Sequence, residues 1–368
     1  MALPQIFPKG KKAFLNSIYS SLINLFIPSK PVIVLEACTP FHLEHFRNII
    51  HQLALLDQFD TIVITPDDKG MSQLKNVSFY KTINDFPLYK KANVFISTDY
   101  NKIPHWFSCP TIYFGHGIGP KLDYVARDEL MDYDFVFSPY RAAYKLQIQA
   151  LPKEKVIPIG LPILDVNSSS QQEEIIDYYQ LNPNKPTIIY APSWCKDVSK
   201  ISDIMSIIVF LNSKKQFNII VSPHPLLFQP ERCSGKVFFS AEKKIKNIHI
   251  NQPNSKFSTL DLVQGSAITI SDISSILFEA MALKKNVLFD GNKALYENCN
   301  ALHIYEEIIQ VCHTPCWDDF DDKTIENSIE CDDLFSQREH FINNYLFNNG
   351  SASTHFIEEV KKILTLKH

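Results

Sequence analysis

From residue 32 onward, short runs of Val, Ile and Phe alternate with longer stretches of 3.6-residue periodicity. This alternation restricts the fold more than any other feature of the chain. VIVLEA (32–37) is continuous apolar sequence, and Phe46, Ile49, Ile50, Leu53 and Leu56 follow at helical spacing. TIVITP (61–66), NVFISTD (93–99), TIYFGHG (111–117) and DFVFSP (134–139) are further short strands, each closed by a turn signal. Strands without polar alternation are buried on both faces. Joined through helices, they predict parallel sheets covered on either side.

The pattern pauses between residues 160 and 186, where Ser, Gln, Asn and Pro accumulate, and then restarts. TIIYAP (187–192), FNIIVSPHP (217–225), NIHI (247–250), AITISD (267–272) and NVLFD (286–290) are predicted strands, with helices near 201–213 and 274–284. A chain of 368 residues exceeds one ordinary hydrophobic core. The expectation is two doubly wound α/β domains, over 31–165 and 166–350, preceded by an amphipathic segment (1–30). A C-terminal helix (351–368) should bury Phe356, Ile357, Val360, Ile363 and Leu364.

Composition removes several function classes. A net charge of −4 offers no general attraction for nucleic acid. Eight cysteines in so long a chain do not form a disulfide framework, which points to a reduced, cytoplasmic protein. Cys312, His313 and Cys316, with His303 and Cys299 upstream, lack the matched pairs of a structural metal site, so no metal is expected. No apolar run reaches the ~20 residues that span a bilayer. The N-terminal segment sets Phe14, Leu15, Ile18, Leu22, Leu25 and Phe26 behind Lys9, Lys11 and Lys12, and Pro28 ends it. It fits equally a helix lying in a membrane interface, at the inner face of the cell membrane, and a helix docked on the protein's own body.

In open α/β sheets ligands bind beyond the carboxyl ends of the strands, so the residues there are the candidates. The first half supplies Gly115-His116-Gly117 with Lys121, then Ser138, Pro139 and Arg141, then Gly160-Leu161-Pro162 with Asp165. The second supplies Ala191-Pro192-Ser193-Trp194-Cys195-Lys196, Ser222-Pro223-His224-Pro225 and Ser271-Asp272-Ile273-Ser274-Ser275. SDISS opens a helix, so its hydroxyls and the free N–H groups of the first turn suit phosphate; ordinary N-capping would need only one of these residues. His224 is held between two prolines, where it can donate to a phosphate or a leaving group, or serve a structural hydrogen bond. His116 stands on a glycine-rich turn and could take a proton from a hydroxyl. Lys121 and Arg141 could neutralise phosphate oxygens.

In this order the blocks resemble the CDP-glycerol glycerophosphotransferases of teichoic acid and capsule synthesis. The carriers are His116-Gly117…Lys121, Gly160-x-Pro162…Asp165, Ala191-Pro192-Ser193-Trp194 with Lys196, His224-Pro225, and Asp272-x-Ser274-Ser275. Departures fall at Ile118-Gly119-Pro120, Cys195 and Ile273.

The resemblance implies a GT-B arrangement of two Rossmann-like domains, with an interdomain cleft, an N-terminal acceptor domain and a C-terminal nucleotide-donor domain. It implies transfer of a polyol phosphate from a CDP-linked donor to a hydroxyl of a glycan or polymer acceptor, with release of CMP. His116 would be the general base and His224 a second catalytic residue. Lys121, Arg141, Ser193, Lys196, Asp272, Ser274 and Ser275 would bind the donor and its phosphates. No cofactor is implied, and the absence of a P-loop argues against an ATP-driven kinase. A GT-B glycosyltransferase or related sugar-nucleotide epimerase remains the alternative, with Glu279 as its late acidic residue; a non-catalytic binding protein is a third reading.

Overall fold

The computed structural model describes residues 30–86, 91–100, 108–115, 117–122, 125–165, 171–194, 199–229, 231, 247–253, 255–315 and 322–366. The chain divides into two compact units. The first takes the described residues within Met1–Gly117, Asp123–Val166 and Leu346–His368, and the second those within Ile118–Leu122 and Asn167–Tyr345.

The first unit is built on β1 (Val32–Glu36), β2 (Asp60–Ile64), β3 (Val77–Tyr80), β4 (Val94–Ser97), β5 (Thr111–Phe114), β6 (Phe135–Ser138) and β7 (Val156–Pro158). All pairings are parallel, in the order β3-β2-β1-β4-β5-β6-β7. Helix α1 (Pro40–Leu55) buries Leu43, Phe46, Ile49, Ile50 and Leu53, and Thr39 caps it by accepting the His42 N–H. Helix α2 (Arg141–Ala150) connects β6 to β7. Strand β3 lies at the sheet edge and is half-buried, so its VSFY lacks the continuous apolar signature of the inner strands.

The C-terminal helix (Ala352–Thr365) completes this unit's core. Phe356 meets the rings of Phe46, Phe114 and Phe137 with centroids 6.5, 5.2 and 5.2 Å away, all edge-on. Two devices seat the helix. The Asp165 carboxylate accepts the N–H groups of Ala352 and Ser353 at its first turn, and Asn48 Nδ2 donates to the carbonyls of Pro162 and Asp165. Gly160 has φ +100°, and a Cβ there would lie 2.3 Å from the Phe347 carbonyl oxygen. The Gly160-x-Pro162…Asp165 block therefore holds the returning chain in place.

The second unit carries β8 (Thr187–Ala191), β9 (Asn218–Val221), β10 (His249–Ile250), β11 (Ile268–Ser271) and β12 (Asn286–Phe289), parallel in the order β10-β9-β8-β11-β12. Its helices are α3 (Gln172–Tyr179), α4 (Ser199–Asn212), α5 (Thr259–Gly265), α6 (Ser275–Ala282), α7 (Lys293–Asn298), α8 (Leu302–Val311), α9 (Asp322–Glu330) and α10 (Phe335–Tyr345). The strand predicted over 217–225 stops at Val221, because Pro223 and Pro225 have no N–H for a ladder. The polar stretch before β8 contains α3, whose only buried residues are Ile175 and Tyr179, too few to show a periodicity.

Both units are thus Rossmann-like parallel α/β domains, the pair that composes the GT-B fold. Phe356→Ala should cost about 3–5 kcal/mol, the range for deleting a core aromatic. A denaturant titration should show an earlier midpoint for the transition that includes the first unit.

Candidate functional site

In the second sheet β8 lies between β9 and β11, so the connections leaving β8 and β10 run to opposite sides. The topological switch point, where doubly wound sheets bind their ligands, therefore falls between β8 and β11. The two loops that open there are Pro192-Ser193-Trp194 and Asp272-Ile273-Ser274.

Asp272 joins them. Its side chain is completely buried. It accepts the Ser193 N–H at 2.9 and 3.1 Å, the Ser193 hydroxyl at 3.1 Å and the Ser274 N–H at 3.0 Å. A buried carboxylate without such donors would be very costly, and charge-assisted bonds of this kind are the strong ones. Ser271 Oγ adds a 2.7 Å bond to the Ala191 carbonyl, and the His224 N–H donates to Pro192 O at 3.1 Å. The ends of β8, β9 and β11 are thereby tied to one another.

Helix α6 starts from this clamp. Ser274 is its N-cap and accepts the Ile276 N–H at 3.3 Å. Ser275 hydrogen-bonds Glu279 one turn on. Burial raises the Glu279 carboxyl to about 7, a shift that the Ser275 bond partly opposes. Each hydroxyl that suggested a phosphate site therefore also has a structural bond. A serine that accepts a cap bond still keeps its own proton to donate.

His224 is exposed and begins a 3₁₀ turn, with Nδ1 accepting the Leu226 N–H at 3.2 Å. In the neutral ring this bond leaves the proton on Nε2, the nitrogen able to donate to a phosphate oxygen. Behind the loop lies a polar chain with no motif in the sequence. Tyr179 donates to Asn251 Oδ1 at 2.8 Å, Asn251 Nδ2 donates to Ser222 Oγ at 2.9 Å, and Ser222 meets Thr259 Oγ1 at 2.8 Å. Only the Ser258-x-x-Asp261 capping box, which sets the start of α5, offered a handle on Thr259.

His116 and Lys196 lie outside the described residues, as do Cys195, Cys316 and the segment 1–29. The backbone around His116 is nevertheless specific. Gly115 is buried at the end of β5, where a Cβ would press on the Tyr113 ring at 3.3 Å. Gly117 has φ +74°, a conformation that strains any side-chain-bearing residue. The following Ile118-Gly119-Pro120 groups with the second unit. Ile118 is buried there, and the Tyr345 hydroxyl donates to Gly119 O at 3.2 Å. Lys121, half-buried, follows directly.

Arg141 opens α2 in the first unit, exposed, with its guanidinium 4.9 Å from the Phe347 ring centroid. The structure thus gathers Ser193, Asp272, Ser274, Ser275 and His224 around one switch point, while Arg141 belongs to the other unit.

Of the Cys312 group, the contacts of Cys312 and His313 are described. Cys312 is buried with Sγ 3.7 Å from Met281 Sδ, burial lifts its thiol to about 12, and His313 pairs with Asp333 at 2.8 Å. A cavity of about 790 Å³, lined by Glu307, Gln310, Ser336 and His340 among others, lies along α8 and α10 and contains none of the predicted residues.

Residues 106–298, more than half of the chain, match the family described as CDP-Glycerol:Poly(glycerophosphate) glycerophosphotransferase. The chain belongs to this family. All five sequence blocks fall inside the matched span. No curated protein sequence matches significantly.

Among solved structures, the wall teichoic acid polymerase TagF superposes with a TM-score of 0.64 at 17% identity, covering 96% of this chain and 95% of that one. A histidine variant of TagF gives 0.66 at 16% identity, covering 97% and 99%. UDP-GlcNAc 2-epimerase from Neisseria meningitidis, bound to UDP-GlcNAc, gives 0.57 at 14%, covering 90% and 100%. At these identities the likeness is one of fold, and it is shared by polymerase and epimerase alike. Family membership, not fold, sets aside the glycosyltransferase and epimerase readings. Glu279, the acid that supported them, is buried on α6.

Glu279 makes a stability prediction. Its folded-state value lies above the unfolded one, so its favourable contribution is complete below about 4.5 and is lost as the pH rises through about 7. The difference corresponds to about 3 kcal/mol. Glu279→Gln should flatten the fall in thermal stability across that window, and melting curves of the two proteins at pH 4.5 to 7.5 will show it.

Proposed function

We propose that the protein transfers a glycerol phosphate, or a related polyol phosphate, from a CDP-activated donor to a hydroxyl of a cell-surface polymer. An acceptor oxygen attacks the β-phosphorus of the donor, the P–O bond to CMP breaks, and CMP departs. The observation that carries this reading is the Asp272 clamp at the switch point of the second sheet, inside the family-matched residues. Phosphoryl transfer asks a protein mainly for positioning and charge stabilisation, and the clamp positions the groups that face phosphate.

In this scheme the second unit is the donor domain. The Ser274 and Ser275 hydroxyls and the first turn of α6 receive the pyrophosphate, helped by the positive end of the helix. Asp272 acts through Ser193 and Ser274 and holds them in place rather than meeting the phosphates itself. His224 donates to the phosphate or to the departing CMP oxygen. Lys121, Arg141 and Lys196 supply positive charge as the donor's phosphates shift theirs. His116, set between a buried glycine and a left-handed one, takes the acceptor proton. TagF, whose structures include one soaked with CDPG, shares this fold. The polymer acceptor and contact with a membrane through Lys9, Lys11, Lys12 and the apolar face behind them complete the proposal. Among the described residues no helix is long and apolar enough to cross a membrane.

The test is release of CMP or UDP from CDP-glycerol, CDP-ribitol and UDP- or CMP-sugars in the presence of a polyol or glycan acceptor. CMP release from a CDP-polyol is expected; turnover of UDP-sugars alone would overturn the reading. His116→Ala should lower turnover by about 10²–10⁴-fold, the usual worth of a general base, with donor affinity nearly unchanged. Normal turnover in that variant would remove His116 from the mechanism. Anionic vesicles should bind the full chain, less so in high salt, and should not bind a chain lacking residues 1–28.

A further inference from the structure

The first sheet has a switch point of its own. In the order β3-β2-β1-β4-β5-β6-β7 the chain runs outward from β1 through β2 to β3 and then returns to add β4 on the other side of β1. The crevice between the carboxyl ends of β1 and β4 is where such a sheet receives a ligand. It lies before residue 106 and so outside the family-matched span.

Three side chains of different chemistry converge there. Cys38 follows β1, His42 sits in the first turn of α1, and Asp99 follows β4. The Cys38 sulfur, a His42 ring nitrogen and an Asp99 carboxylate oxygen all lie within 4.8 Å of one another. Tetrahedral coordination at zinc bond lengths sets sulfur, nitrogen and oxygen ligand atoms about 3.3–3.6 Å apart, so shifts of about 1–1.5 Å bring these onto one ion. Cys38 and Asp99 are half-exposed while His42 is buried, which leaves the cluster open to an entering ion from one side.

The surroundings hold Asp99 in place. Its N–H donates to Ser97 Oγ at 3.2 Å, its carbonyl accepts the Tyr133 hydroxyl at 2.9 Å, and its Oδ1 accepts the Tyr100 N–H at 2.8 Å. Ser97 Oγ also donates to the buried Glu36 carboxylate at 2.9 Å. Ligands of metal sites are oriented by outer hydrogen bonds of this kind.

We propose that Cys38, His42 and Asp99 bind one divalent cation of the zinc class at the switch point of the first unit. Thiolate with imidazole selects a borderline-soft ion over magnesium or calcium, which take oxygen ligands. Three protein ligands leave a fourth position for water or for an oxygen of a bound molecule. The site does not depend on the proposed transferase activity.

The experiment is a titration of the full-length, metal-stripped protein with Zn²⁺, followed by calorimetry, and with Co²⁺, followed by its thiolate-to-metal absorption. One equivalent should bind and the charge-transfer band should appear. Cys38→Ser should abolish the band and weaken binding by about 100-fold or more; His42→Ala and Asp99→Asn should each weaken it by at least about tenfold. Cys331→Ser, at an exposed cysteine elsewhere, should change nothing. Circular dichroism identifies any variant that fails to fold, and the remaining ones then decide. No binding by the parent protein overturns the proposal. So does binding that survives Cys38→Ser and Asp99→Asn unchanged, which would place the ion elsewhere.

Discussion

The second unit depends on a charge placed where water cannot reach it. Asp272 is fully buried, and its carboxylate is held by the backbone of Ser193, the hydroxyl of Ser193 and the backbone of Ser274. Removing one partner of such an arrangement leaves a buried group unsatisfied, which costs far more than the net worth of any single bond. The loop after β8 and the loop after β11 are therefore coupled: neither can move without stranding the carboxylate. His224 joins the same unit through Pro192, and the chain Tyr179–Asn251–Ser222–Thr259 stiffens it from behind. A reaction that relies on fixed hydrogen-bond donors and charges, rather than on covalent intermediates, is well served by such a base.

The first unit is stabilised differently. Its core is closed by a helix from the far end of the chain, through Phe356 packed among Phe46, Phe114 and Phe137. Asp165 and Gly160, which in the sequence read as part of a family block, are the groups that receive that helix. Their shared presence in the block has a common physical cause. The left-handed glycine admits the Phe347 carbonyl, and the carboxylate caps the helix that comes after it. Ile118, part of the stretch that departs from the family pattern, has a packing role in the second unit.

Much of this was legible before any coordinates. Continuous apolar runs such as VIVLEA and TIIYAP announced inner parallel strands, because a strand covered on both faces has no polar face to show. Edge strand β3 and helix α3 escaped, since both are half-exposed and bury too few residues for a periodicity. The strand-end rule singled out Ser193, His224, Asp272, Ser274 and Ser275, and these do meet around one switch point. It did not separate their roles. Hydroxyl-rich SDISS looked like a surplus of phosphate donors, whereas Ser271, Ser274 and Ser275 each make a bond within the protein. Cys38, His42 and Asp99 were not legible at all: 61 residues separate the first from the last, and no spacing rule covers that distance.

By itself the sequence determined the local quantities: which inner segments are strands, which helices bury an apolar face, and which blocks mark the family. These follow from side-chain periodicity and from steric limits acting over a few residues. The tertiary structure decided the order of strands within each sheet and hence the two switch points. It also decided which carboxylate faces backbone amides and which core the last helix enters. Those outcomes depend on contacts between residues far apart in the chain, where burial makes each buried charge find its donors and each apolar face find its partner.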